Sequence, residues 1–161
     1  LGIALGMALA LKSDERKGIV YCLVGDGECQ EGSIWEAILS ASAFRLDNLV
    51  VLVDNNHIQK MDKTANIIGH DSLGTQIETF GWQVKYADGH DTADIQEKLL
   101  GEWQSDKPRC LIADTVKGKG LSLMENNPSW HWRMPNRGEL KTFCAELGIC
   151  GDDLAKAKEG R

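Results

Sequence analysis

Three short, almost wholly apolar runs constrain this chain more than any other feature. They are Ile19-Val20-Tyr21-Cys22-Leu23-Val24, Leu49-Val50-Val51-Leu52-Val53 and Cys110-Leu111-Ile112-Ala113. None alternates apolar with polar, so each is predicted as a strand buried on both faces. A weaker strand is predicted over Gly81 to Tyr86, stopped by Asp88-Gly89. Between and around the strands lie segments with helical spacing. These are Leu1 to Lys12, Gly32 to Phe44 (apolar at Ile34, Ala37, Ile38 and Ala41), Leu73 to Phe80, Thr92 to Trp103 with Thr92 as N-cap, and Gly138 to Leu147. Gln59 to Asp71 reads as a long polar segment, and Gly151 to Arg161 as a polar tail. Strands alternating with helices predict an α/β fold: a doubly wound, mostly parallel sheet with helices on both faces. No internal repeat or linker interrupts it, so residues 1–161 are expected to form one domain.

Charge and cysteine usage exclude several function classes. The net charge is −6, which leaves no broad basic field for nucleic acid or anionic lipid. A bound phosphate must therefore be held locally, by backbone N–H groups, a metal or a few side chains. Cys22, Cys29, Cys110, Cys144 and Cys150 include no Cys-x-x-Cys pair, and their odd number argues against a disulfide framework. Cys22 and Cys110 lie inside apolar runs and are expected in the core; a reducing, cytoplasmic setting is expected. The longest apolar stretch, Leu1 to Leu11, is too short to span a bilayer, so no membrane segment is expected. It lacks the flanks of a signal peptide. Because Leu1 is not Met and already lies inside an apolar helix, a preceding N-terminal part is expected.

In sheets of this kind ligands sit beyond the carboxyl ends of the strands. The first strand ends at Gly25-Asp26-Gly27-Glu28. This is no dinucleotide fingerprint, since the third glycine would fall on Gln30, and no Walker motif is present. Glycines let backbone N–H groups approach a phosphate, but a carboxylate between them repels it. A divalent cation between the two removes the conflict. Carboxylate, amide and backbone oxygens suit Mg²⁺ or Ca²⁺. Asn56, 30 residues after Asp26 at the end of the next strand, offers such an oxygen. Each residue alone is also explained by turn chemistry. The spacing by itself supports only a metal–phosphate site.

The pair, with a helix and a strand between, resembles the thiamine-diphosphate motif. The helix opening Glu31-Gly32-Ser33-Ile34-Trp35-Glu36-Ala37 is similar to the transketolase pattern. So are Gly81-Trp82 followed by Asp88-Gly89-His90-Asp91, Lys107-Pro108, and Thr115-Val116-Lys117-Gly118-Lys119-Gly120. The stretch from Ser122-Leu123-Met124-Glu125-Asn126 through Trp130-His131 resembles separately encoded N-terminal transketolase subunits. The resemblance implies a thiamine-diphosphate-binding fold and covers most of the chain. It implies cofactor contacts from Gly25, Asp26, Gly27, Glu28, Asn56, Ile58 and His131. Asp26, Asn56 and the Ile58 carbonyl match the metal ligands, Gly27 matches the donor to the diphosphate, and Glu31 matches a glutamate between two active sites. His131 matches a histidine facing both diphosphate and reaction site, the catalytic candidate. The segment after Ile58 departs from the family, which leaves Gln59 without a role.

In the family the protein activates thiamine diphosphate with a glutamate of a second, pyrimidine-binding domain that these residues do not contain. The resemblance therefore implies a C-terminal partner subunit or domain carrying it, in a homodimer or a dimer of heterodimers. The implied reaction is transfer of a two-carbon ketol unit between sugar phosphates in carbohydrate metabolism, such as the pentose phosphate pathway. Two alternatives stay open. One is another thiamine-diphosphate reaction, such as deoxyxylulose-phosphate synthesis or a specialised catabolic ketose transketolase. The other is a non-catalytic, partner-binding subunit. Of the remaining candidates, His90 is expected to serve its turn, and His57 and His70 to be exposed. Lys117 and Lys119 are expected to be solvated or to neutralise phosphate, Trp130 and Trp132 to pack, and Trp35 and Trp82 to lie in the core.

Overall fold

A computed structural model describes residues 1–69 and 72–149. His70, Asp71, Cys150 and the tail Gly151 to Arg161 lie outside the described residues. The chain divides into two compact units, Leu1–Thr115 and Val116–Arg161.

The first unit is built on four strands: β1 (Val20–Gly25), β2 (Leu49–Asn55), β3 (Gln83–Asp88) and β4 (Arg109–Asp114). They form one sheet in the order β1-β2-β4-β3, and every pair is parallel. Helices α1 (Gly2–Ser13), α2 (Gly32–Ala43) and α4 (Leu73–Thr79) cover one face, with a single helical turn, α3 (Thr64–Ile67), before α4. Their Ala4, Ala8, Ile34, Ile38, Ala41 and Ile77 form one core with Val24, Val51, Val53, Cys110 and Ile112 of the strands. Successive residues of a strand point to opposite faces, so Lys85 points away from the side that takes Val84 into this core. There Lys85 Nζ donates to Lys98 O of α5 (Thr92–Leu100) and lies 4.1 Å from the Trp103 ring centroid. Helices therefore cover both faces, as a doubly wound sheet requires.

Some local expectations need correction. β1 is not buried on both faces: Tyr21 is 55% and Leu23 72% exposed. β1 is an edge strand, and α5 packs on β3 and β4 at the other end of the sheet. For the same reason Cys22 is only half-buried, while Cys110 is fully buried. Trp82 lies in the core, but Trp35 is half-buried at its margin, 5.7 Å from the Phe80 ring. Asp91, not Thr92, caps α5, accepting from the N–H groups of Ala93 and Asp94. The polar segment after β2 is also more ordered than its composition suggests. It contains an antiparallel bridge between Ile58 and Lys63 as well as α3.

The second unit carries a 3₁₀ turn, Pro128–His131, and α6 (Arg137–Glu146). Asn136 and Glu139 form a reciprocal capping box at the start of α6. Trp130 is buried against Phe143, with ring centroids 5.2 Å apart. The Arg133 guanidinium covers Trp130 at 3.4 Å and pairs with both oxygens of Glu139, at 3.1 and 2.8 Å. No helix of the described residues is long and apolar enough to cross a membrane.

Candidate cofactor site

Parallel register brings the strand ends level. Gly25 pairs with Asp54, and Asn55 pairs with Asp114, which in turn pairs with Asp88. Beyond the last pair of β1 and β2, Asp26 N–H donates to Asp54 O at 3.1 Å. This bond sets the Gly25-Asp26-Gly27 turn beside the segment that leaves β2 with Asn56, His57 and Ile58. The sheet thus joins the two halves of the motif read from the sequence.

Asp26 is the one buried charged residue among the described residues, at 5% exposure. Burial holds its carboxyl above the usual carboxylate range. Hydrogen bonds from the Gly27 and His57 backbone and from the Thr64 hydroxyl, together with the His57 charge, work against that rise. Among the described residues no lysine or arginine forms an ion pair with it. A buried carboxylate without a countercharge is costly. A divalent cation would supply that countercharge, so the donor set fits one.

The neighbouring oxygens are of the right kind. Asn56 Oδ1 accepts from Ile58 N–H at 3.1 Å, and Asn56 Nδ2 donates to Asp54 Oδ2 at 3.2 Å, which fixes which amide atom faces which way. Asp54 is held in turn by the Thr115 hydroxyl. Ile58 is 5% exposed, and no hydrogen bond to its carbonyl is found among the described residues. Gly27 N–H donates to Asp26 Oδ1 at 2.8 Å, and exposed Glu28 accepts from Gly25 N–H at 3.3 Å. The turn is thereby closed on its own carboxylates. Glu31, exposed, lies at the N-cap of α2.

A cleft of about 410 Å³ opens beside Asp26, with Asn55, His57, Lys63, Tyr86 and Asp114 in its wall. His57 is exposed and has a positive φ of 61°. Its Nε2 lies 3.7 Å from Asp114 Oδ1, which also accepts from Asn55 Nδ2. Sequence reasoning missed this cluster, although Asn55 and Asp114 both stand at strand ends. His131 belongs to the second unit. It is exposed, as is Trp132, while Trp130 alone of the three turns inward. His90 is exposed in the turn after β3, where its N–H donates to Asp88 Oδ1 at 2.8 Å. Lys117 is half-buried and Lys119 exposed.

Residues 12–153 match the family model described as transketolase, thiamine diphosphate binding domain. The chain belongs to the transketolase family. Among curated transketolase-family proteins it is 38% identical, over 147 residues, to an apulose-4-phosphate transketolase subunit of Actinobacillus succinogenes, covering 91% of this chain and 53% of that protein. It is 37% identical over 145 residues to a 6-deoxy-6-sulfo-D-fructose transketolase subunit of Clostridium sp., covering 89% and 53%. It is 40% identical over 132 residues to human transketolase, covering 81% and 21%. The chain thus spans about half the length of the subunits it matches, and less of the single-chain transketolases. Among solved structures, transketolase from Campylobacter jejuni superposes with a TM-score of 0.81 at 29% identity, over 91% of this chain and 24% of that one.

Proposed function

We propose that this chain is the diphosphate-binding part of an enzyme that moves a two-carbon ketol unit between sugar phosphates. In this reading it holds thiamine diphosphate through Mg²⁺ or Ca²⁺ bound by Asp26, Asn56 and the Ile58 carbonyl. The observation that carries the reading is Asp26: a carboxylate 5% exposed, set between two glycines, and level with the end of the adjoining strand. Burial leaves little water to compete at the carboxylate, so a cation held there would be bound firmly and would neutralise a diphosphate beside the Gly-Asp-Gly turn. Gly25 leaves open space where a side chain would stand, and the missing side chain of Gly27 makes room for Gln59 of the loop behind the turn. When bound, thiamine diphosphate supplies the nucleophilic carbon and electron sink for cleavage beside a carbonyl. The chain's own residues bind and orient it. His131 lends a hydrogen bond or a proton as the substrate carbonyl gains negative charge.

The activating glutamate comes from a partner subunit or domain in this reading, in a homodimer or a dimer of heterodimers acting in the cytoplasm. Two similar proteins carry names of transketolase subunits, which supports a separate partner. Their names also point to specialised ketoses rather than to the pentose phosphate pathway alone, and that favours keeping a catabolic donor as a second reading. The test is a panel of ketose phosphates and sulfo-ketoses offered to the enzyme assembled with its partner, alongside this chain alone. Ketol transfer is expected only from the assembly, with one donor class preferred. Turnover by the purified 161-residue chain would contradict the partner requirement. An assembly inert to every donor would favour a non-catalytic subunit.

A further inference from the structure

The loop leaving β2 folds back over the Gly-Asp-Gly turn, and one side chain holds it there. His57 starts the reversal with its positive φ. Gln59 N–H then donates to Asp62 O at 2.9 Å, and Thr64 N–H to His57 O at 3.0 Å. Gln30, in the 3₁₀ turn immediately after the motif, spends its whole amide on this loop. Its Nε2 donates to Thr64 O at 2.9 Å and to Ile68 O at 2.6 Å, and its Oε1 accepts from Gln59 Nε2 at 2.7 Å. The packing is close: a Cβ on Gly27 would lie 2.9 Å from Gln59 Cβ. The result delivers the Thr64 hydroxyl to Asp26 Oδ2 at 3.2 Å, the carboxylate oxygen that Gly27 N–H does not take.

We infer that Thr64 is the positioning residue that fixes the Asp26 carboxylate for its cation, and that Gln30 is the latch that keeps Thr64 in place. A carboxylate turns easily about its terminal torsion. The Gly27 N–H on one oxygen and the Thr64 hydroxyl on the other, with the His57 N–H beside them, hold its plane from separate segments of the chain. Outer-shell donors of this kind orient metal ligands, and their loss typically weakens metal affinity by about 10- to 100-fold. The inference rests on the proposed metal site, and the experiment separates the two.

Mn²⁺ is titrated into the full assembled enzyme with thiamine diphosphate present, its binding followed by paramagnetic resonance. The melting temperature of the metal-free enzyme is measured in parallel. Thr64→Val and Thr64→Ala are each expected to weaken Mn²⁺ binding by roughly 10- to 100-fold, with Thr64→Ser restoring it and the melting temperature little changed. Gln30→Leu is expected to weaken Mn²⁺ binding as well. A drop in melting temperature with wild-type Mn²⁺ affinity in both Thr64 variants would reduce Thr64 to a structural role and overturn the inference. If Asp26→Asn loses Mn²⁺ while Thr64→Val and Thr64→Ala do not, only the positioning role fails. If Asp26→Asn also binds Mn²⁺ normally, the metal site itself falls.

Discussion

Asp26 is the one buried charged residue among the described residues, and the cost of its burial depends on pH. Its carboxyl is held above the ordinary range mainly by burial. The folded state therefore binds this proton more tightly than the unfolded chain. Its contribution to stability is fully present below the unfolded value and is lost as pH rises through the folded one. Metal-free enzyme is thus expected to lose stability from this group on going from acid toward neutral pH. Asp26→Asn should flatten that slope, and unfolding midpoints across the range check it; a slope unchanged in the variant would remove Asp26 as its source. At His131 the expectation is kinetic. Trp130 carries the packing of that turn, while His131 is exposed, so His131→Ala should change stability by no more than about 0.5 kcal/mol. In the assembled enzyme it should lower kcat by roughly ten- to a thousand-fold, the range of positioned donors and acid–base groups. Near-normal kcat in cofactor-loaded enzyme would take His131 off the site.

At the scale of elements, α4 is seated by a missing side chain. A Cβ on Gly74 would lie 2.0 Å from the Tyr86 hydroxyl, 2.8 Å from Tyr86 Cζ and 3.1 Å from Ile112 Cδ1. Gly74→Ala gains up to about 1 kcal/mol of helix propensity but overpacks the α4–β3 contact by about 1–3 kcal/mol. Net destabilisation is expected, and Tyr86→Ala should relieve it, so denaturant midpoints of the double mutant should be non-additive. Strand and helix placement was legible because burial periodicity sets it: the apolar runs became β1, β2 and β4 within a residue or two. What was not legible depended on neighbours. Tyr21 and Leu23 read as buried because they are apolar, yet the strand order puts them on an edge face. Thr92 and Asp91 are both competent caps, and only the backbone path chooses Asp91.

At the scale of the molecule, the sheet register brings two distant motifs side by side at adjoining strand ends. Ile58 was named only through the family resemblance, whereas the placing of Asp26 and Asn56 at adjoining strand ends could be read in advance from the apolar runs. Thr64 and Gln30 could not, since their contacts depend on how the loop from His57 to Ile68 folds back, and its composition carries no period. That loop folds back over the Gly-Asp-Gly turn and is held there by Gln30. The central claim is that Asp26 binds a divalent cation and the cation binds the cofactor. It is tested most directly by calorimetric titration of thiamine diphosphate into the assembled enzyme, with Mg²⁺ and with chelator, for the parent and Asp26→Asn. Tight binding is predicted only for the parent with Mg²⁺. Equal affinity in Asp26→Asn, or affinity indifferent to chelator, would contradict the account.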